Sequence, residues 1–192
     1  MAGMYASALH QNRNGAAYFP PPYRGELPLV TRLLADSGYS CGLVGKLDLT
    51  SDQGGRERRA DDGFGYVQYS SRPDLALDLD QDYHHWLRAK GQDPKQVLGR
   101  RADDRDAIAR YVPPAPDDDC TPVELHHTYW CAEKAMEFIS MHTEGDESLH
   151  GTVARPWLLC LNIFYPHPPY DPPWEYYRRF DPSANFGRRT TP

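Results

Sequence analysis

Apolar positions along the chain fall into two kinds of run. Leu29, Val30, Leu33 and Leu34 recur at helical spacing, Pro28 suits a first turn and Gly38 stands just past the end. This pattern predicts an amphipathic helix of about three turns. "YSCGLVG", Tyr39 to Gly45, follows at once as a short apolar strand. Downstream, "DQDYHHWLRAKG" (Asp80 to Gly91) reads as a short helix stopped by Gly91. A longer helix is predicted from Pro122, with Thr121 as its N-cap, Pro122 at the first position and Glu124 at the capping-box position. Its apolar stripe is placed at Leu125, Tyr129, Ala132, Met136 and Ile139. The run from Trp157 to Tyr165 is apolar throughout except at Asn162, which suits a strand covered on both faces within a parallel sheet.

A helix leading straight into a strand, and a long helix leading into a buried strand, are the steps of an α/β layer structure. The intervening stretches read as loops. "NRNGAAYFPPPYRGELP" is rich in Pro and Gly, and Ser51 to Tyr66 is polar and Gly-rich. The charged segment from Gln92 to Asp119 ends in "VPPAPDDD" and is read, over about residues 92–121, as an exposed excursion from a single domain spanning residues 1–192. No internal repeat or low-complexity tract is present. The tetrapeptide "PPPY", Pro20 to Tyr23, has the form of a WW-domain ligand, but a pattern so short arises often by chance.

Composition narrows the partners more than the fold. The 192 residues are 40% apolar and 25% charged, which is ordinary for one globular domain. With 27 acidic against 21 basic residues the formal charge is −6, so the basic face that nucleic-acid binding needs is not indicated. No apolar run approaches the roughly 20 residues of a membrane span. The start "MAGMYASALHQ" has neither the basic residues nor the apolar core of a secretory signal. Cys41, Cys120, Cys131 and Cys160 lie far apart without CxxC spacing, so they read as reduced core cysteines rather than as a zinc site or a disulfide framework.

Candidate chemistry gathers at the strand ends. In "RPWLLCLNIFYPHPPYDPP" (Arg155 to Pro173) the apolar run stops at His167, flanked by prolines. A histidine held by prolines just past the carboxyl end of a buried strand is a candidate site residue, because ligands of open α/β sheets bind at that edge. The pairs His84-His85 and His126-His127 do not read as metal sites, since adjacent helical residues point about 100° apart; they are expected to be surface and packing residues. Asp61-Asp62 and Asp117 to Asp119 are expected to be solvated loop charges.

The order of helix, Gly38-Tyr39, strand, "GKLDL" (Gly45 to Leu49), "DGFGY", "AMEFI" and finally "RPWLLCLNIFYPHPPYDPP" closely resembles the middle of a sulfatase of the alkaline phosphatase superfamily. The family's pieces read approximately "GY-x-T-x-x-x-GKWHLG", "GFD-x-F" and "KPFFLYLSFxxPHxP". The resemblance implies an α/β, alkaline-phosphatase-like sandwich with a largely parallel central sheet, incomplete in this chain. It implies hydrolysis of a sulfuric ester, on a small molecule or a glycan. Lys46 falls on the family lysine that contacts sulfate oxygens, and His167 on the family histidine that binds sulfate and assists the leaving group. Asp48 occupies the slot of a second family histidine and is the tentative third site residue, adding negative charge beside an anionic substrate.

Other family parts have no counterpart in these 192 residues. The Cys/Ser-x-Pro-x-Arg motif that is converted to the formylglycine nucleophile is not in the sequence, and "SALHQNRNG" (Ser7 to Gly15) looks like the stretch just after it. The calcium expected in the full-length family protein would likewise take its ligands from outside this chain. The reading that follows is an internal fragment of a sulfatase-like protein, inactive alone and with its true N-terminus missing. A phosphate or phosphonate ester hydrolase of the same superfamily, and a non-catalytic module that keeps the fold, are the alternatives. The shared-anion role carries a geometric expectation: Lys46 and His167 leave parallel strands at one sheet edge, with nitrogens within about 8 Å.

Overall fold

A computed structural model describes residues 28–47, 49, 56, 59, 61–73, 81–98, 121–143, 155–167 and 171–180. Helix α1 (Val30–Asp36) leads into β1 (Ser40–Gly45), followed by β2 (Tyr66–Tyr69), α2 (Asp82–Ala89) and α3 (Pro94–Leu98). A 3-10 turn (Val123–Leu125) precedes the long helix α4 (His127–Thr143), and then come β3 (Trp157–Asn162) and a short α5 (Trp174–Tyr177). The strands form one sheet in the order β2-β1-β3, with β1 parallel to both neighbours. The fold is therefore mixed α/β, and among the described residues the sheet is all-parallel and open.

Helix α1 is two turns rather than three. Leu29 is its N-cap, so Pro28 lies just before the helix. Gly38 ends it at φ +94°, and the Tyr39 N–H donates to Leu34 O at 3.0 Å. The inward face is Leu29 and Thr31, with Leu34 and Ala35 against the sheet, while Val30 and Leu33 face solvent. A threonine can point inward here because its hydroxyl donates to Asp62 O. Asp62 is itself no solvated loop charge: it is 1% exposed and accepts from the Arg59 guanidinium and the Phe64 N–H.

Helix α4 departs from its expected cap and its expected face. Thr121 does not cap it; the helix starts at His127, and the Nδ1 of His126 accepts the Thr128 N–H at 3.2 Å, taking the N-cap role. The stripe that turns inward is His127, Trp130, Cys131, Ala135 and Phe138. Tyr129, Met136 and Ile139 of the expected stripe are exposed. Both faces have helical periodicity, and the one carrying Trp130 and Phe138 removes more apolar area from water. His84, His126 and His127, read from sequence as surface and packing residues, are all in the interior.

Strand β2 begins at Tyr66, the last residue of the segment read as loop, and runs on through residues to which the sequence pattern assigned no element. It is four residues long, too short to show a period. The first part of the expected excursion folds as α3, whose Leu98 enters the core beside Val44, Tyr83, Leu87 and Trp130; residues 99–120, with Cys120 and Asp117 to Asp119, lie outside the described residues. Helices cover both faces of β1. Cys41 and Leu43 pack with Leu34 and Ala35 on one side, and Val44 with Trp130 and Cys131 on the other. Phe138 spans the sheet, its ring lying 5.3 Å from Tyr66 and 5.9 Å from Trp157. It sits directly over Gly42, where an added Cβ would be 2.5 Å from the ring.

Strand β3 is not covered on both faces as its composition suggested. Among the described residues it is an edge strand, with Trp157 39% and Leu161 42% exposed. It holds its place through a six-residue parallel register with β1, from Ser40 opposite Trp157 to Gly45 opposite Asn162.

Candidate functional site

The carboxyl ends of the three strands share one edge because all run the same way. The chain leaving β1 turns to β2 on one side, while β3 lies on the other. The carboxyl edge of an open α/β sheet is the usual ligand position. Lys46 is the first residue beyond β1, and His167 follows β3 after a short turn.

Lys46 is locked to β3 at its backbone. Its N–H donates to Asn162 O at 3.0 Å, and its carbonyl accepts from Asn162 Nδ2 at 2.9 Å. Asn162, the single polar interruption of the apolar run, thus clasps the two strand ends together. The Lys46 ammonium lies over the ring of Phe164, 5.6 Å from its centroid, a cation–π contact. The same ring contacts His167, with centroids 5.0 Å apart. Phe164 is 3% exposed, so a buried ring holds the half-buried lysine and the exposed histidine at one place. The structure brings Lys46 and His167 together at the same edge. Asp48 lies outside the described residues.

Braces from α4 hold the histidine turn, and these were missed in the sequence. The His167 N–H donates to Phe164 O at 3.1 Å, and the Tyr165-Pro166 peptide is cis. The Tyr165 ring stacks on His126 at 4.8 Å. Farther on, Asp171 is buried and accepts from the Thr121 hydroxyl at 2.8 Å, while its carbonyl accepts from His126 Nε2 at 2.7 Å. His126 therefore donates through Nε2 and accepts at Nδ1, which fixes its neutral tautomer and ties the turn to the start of α4. The available signal was the Pro-rich tail itself, "PHPPYDPP", whose Asp is the one residue able to accept side-chain hydrogen bonds strongly.

Behind the edge the interior is chemically quiet. Burial drives the His127 imidazole down to about 3, with the neighbouring His126 and His84 acting in the same direction. Burial likewise pushes the Cys131 thiol up to about 12, so it is a packing group and not a nucleophile at neutral pH. Cys41 and Cys160, both raised by burial, pack in the opposite layer. Among the described residues no three His, Cys, Asp or Glu side chains converge to hold a metal ion, and no helix is long and apolar enough to cross a membrane. Comparison with protein-family models, with curated proteins and with solved structures finds no match.

Proposed function

We propose that this chain is the sheet core of a sulfatase-like hydrolase, an alkaline-phosphatase-like α/β sandwich, and that its carboxyl edge binds the oxyanion of a sulfate ester. One observation carries the reading: a lysine and a histidine that follow adjacent parallel strands both contact one buried ring, Phe164. An ammonium there neutralises charge on the non-bridging sulfate oxygens as the S–O bond lengthens. An imidazole can donate a hydrogen bond or a proton to the departing alcohol oxygen near neutral pH. Asp48, two residues beyond Lys46 in sequence, is assigned to the same anion pocket on resemblance alone.

Calcium, implied for the full-length protein, would supply charge for orienting the sulfate. The described residues do not assemble a cage of acidic ligands for it, so the steps given to this chain are those of its lysine and histidine. The sequence has no Cys/Ser-x-Pro-x-Arg motif for a formylglycine nucleophile, and charge stabilisation does not replace one. The carboxylate of Asp48 in a histidine slot leaves open one second reading, a phosphate or phosphonate ester hydrolase of the same superfamily.

The test is anion binding. Titration of the chain with inorganic sulfate, and in parallel with phosphate, followed by NMR, is expected to shift Lys46 and His167 resonances together. Lys46→Ala and His167→Ala should each weaken sulfate about tenfold or more, as loss of a hydrogen bond to a charged group does. Tighter phosphate binding selects the second reading. Hydrolysis of an aryl sulfate by the chain alone, lost in Lys46→Ala, would overturn the assignment of the nucleophile to residues outside it.

A further inference from the structure

The third strand ends at the same edge and delivers a cation of its own. Strand β2 is parallel to β1, with Tyr69 opposite Gly45, and the Ser70 N–H donates to Gly45 O at 3.1 Å. The loop at residues 70–73 therefore starts beside Lys46, on the side away from His167. It is held firmly. Gln81, fully buried, accepts from the Ser70 hydroxyl at 2.8 Å and donates to Arg72 O at 3.1 Å. Arg72 itself is half-buried, and its Nε is inaccessible to solvent and without a hydrogen-bond partner. The nearest carboxylates along the chain among the described residues are Asp62, which accepts from the Arg59 guanidinium and the Phe64 N–H, and Asp82, which accepts from two guanidinium nitrogens of Arg56 and from the Tyr69 N–H.

A guanidinium N–H sealed from water without an acceptor is costly, and a charged group held that way is suited to pairing with an anion. Surface arginines need no partner, because water serves them. Arg72 differs in that part of its donor set is sealed from water while the loop beneath it is fixed by a buried glutamine.

We propose that Arg72 binds a second anionic group on the ligand held by Lys46 and His167. Arg72, Lys46 and His167 follow three neighbouring strands, and the outer two, β2 and β3, are two strand spacings apart, about 10 Å. One tetrahedral anion in contact with Lys46 and His167 leaves Arg72 for another. The preferred ligand is thus a dianion whose charged groups sit a few bonds apart, with the planar fork of Arg72 suited to a carboxylate, sulfate or sulfonate. This inference rests on the anion site proposed above.

The experiment compares 1,3-propanedisulfonate with 1-propanesulfonate, by calorimetry and by the Nε–H resonance of Arg72. The dianion is expected to bind at least about tenfold more tightly and to shift that resonance, which the monoanion should leave in place. Arg72→Gln should remove the preference without altering monoanion affinity, and Arg72→Lys should restore only part of it. Equal affinity for the two ligands, or a preference that survives in Arg72→Gln, would overturn the Arg72 assignment while leaving the Lys46–His167 site standing. Failure of both ligands to bind would overturn the two together. The resonance of the unaltered protein decides the matter even if Arg72→Gln does not fold.

Discussion

His127 shows how far a residue's meaning depends on its neighbours. In the sequence it is half of a doublet that reads as surface and packing; in the structure it is 1% exposed, edge-on to Tyr83 at 5.1 Å and beside Trp130. The folded chain keeps this ring neutral down to about 3, whereas the unfolded chain protonates it near 6.5. Below 6.5 the unfolded state therefore binds more protons, and the stability tied to His127 is lost as pH falls from there toward 3. The loss approaches the slope of a single proton, on the order of 1 kcal/mol per pH unit, within that window and is nil above it. Denaturant unfolding across the window should show a steep acid limb that is shallower in His127→Phe; identical limbs would show that another group drives it. The same dependence on surroundings explains why Lys46 and His167 were candidates from the sequence and Arg72 was not. The first two occupy positions of a quoted pattern, while Arg72 matters through one buried nitrogen that only packing reveals.

At the scale of elements, β1, β3 and the helices α1, α2 and α4 were legible because each carries either a long apolar run or a periodic one. What the pattern could not supply was the choice between two apolar faces of α4, the four-residue β2, or the exposure of β3. Each of those is decided by which partner is present. Glycines make the difference between local and tertiary constraint measurable. Gly38 and Gly45 both have positive φ, at +94° and +97°, but an added Cβ meets nothing within 4 Å at Gly38 and overlaps the Asn162 carbonyl at Gly45. Gly38→Ala should cost about 1 kcal/mol, a backbone penalty alone. Gly45→Ala adds a collision between strands and should cost about 2 to 5 kcal/mol, read from denaturant midpoints. Equal costs would mean that β1 and β3 do not meet at Gly45 as described.

For the whole molecule, the register of β3 has a consequence for the order in which structure forms. Lys46 and Asn162, which clasp the site, are 116 residues apart along the chain. The ends of β1 and β2 are much closer in sequence, so their pairing closes a smaller loop and is entropically the easier step. Docking of β3 then completes the sheet, and with it the proposed anion site, in one late event, and the same strand is expected to leave first when the molecule opens locally. A bound oxyanion that touches residues on both sides of that seam favours the docked form. Saturating sulfate should accordingly slow amide hydrogen exchange in β3 far more than in β2, making the last strand to arrive the one that its ligand secures.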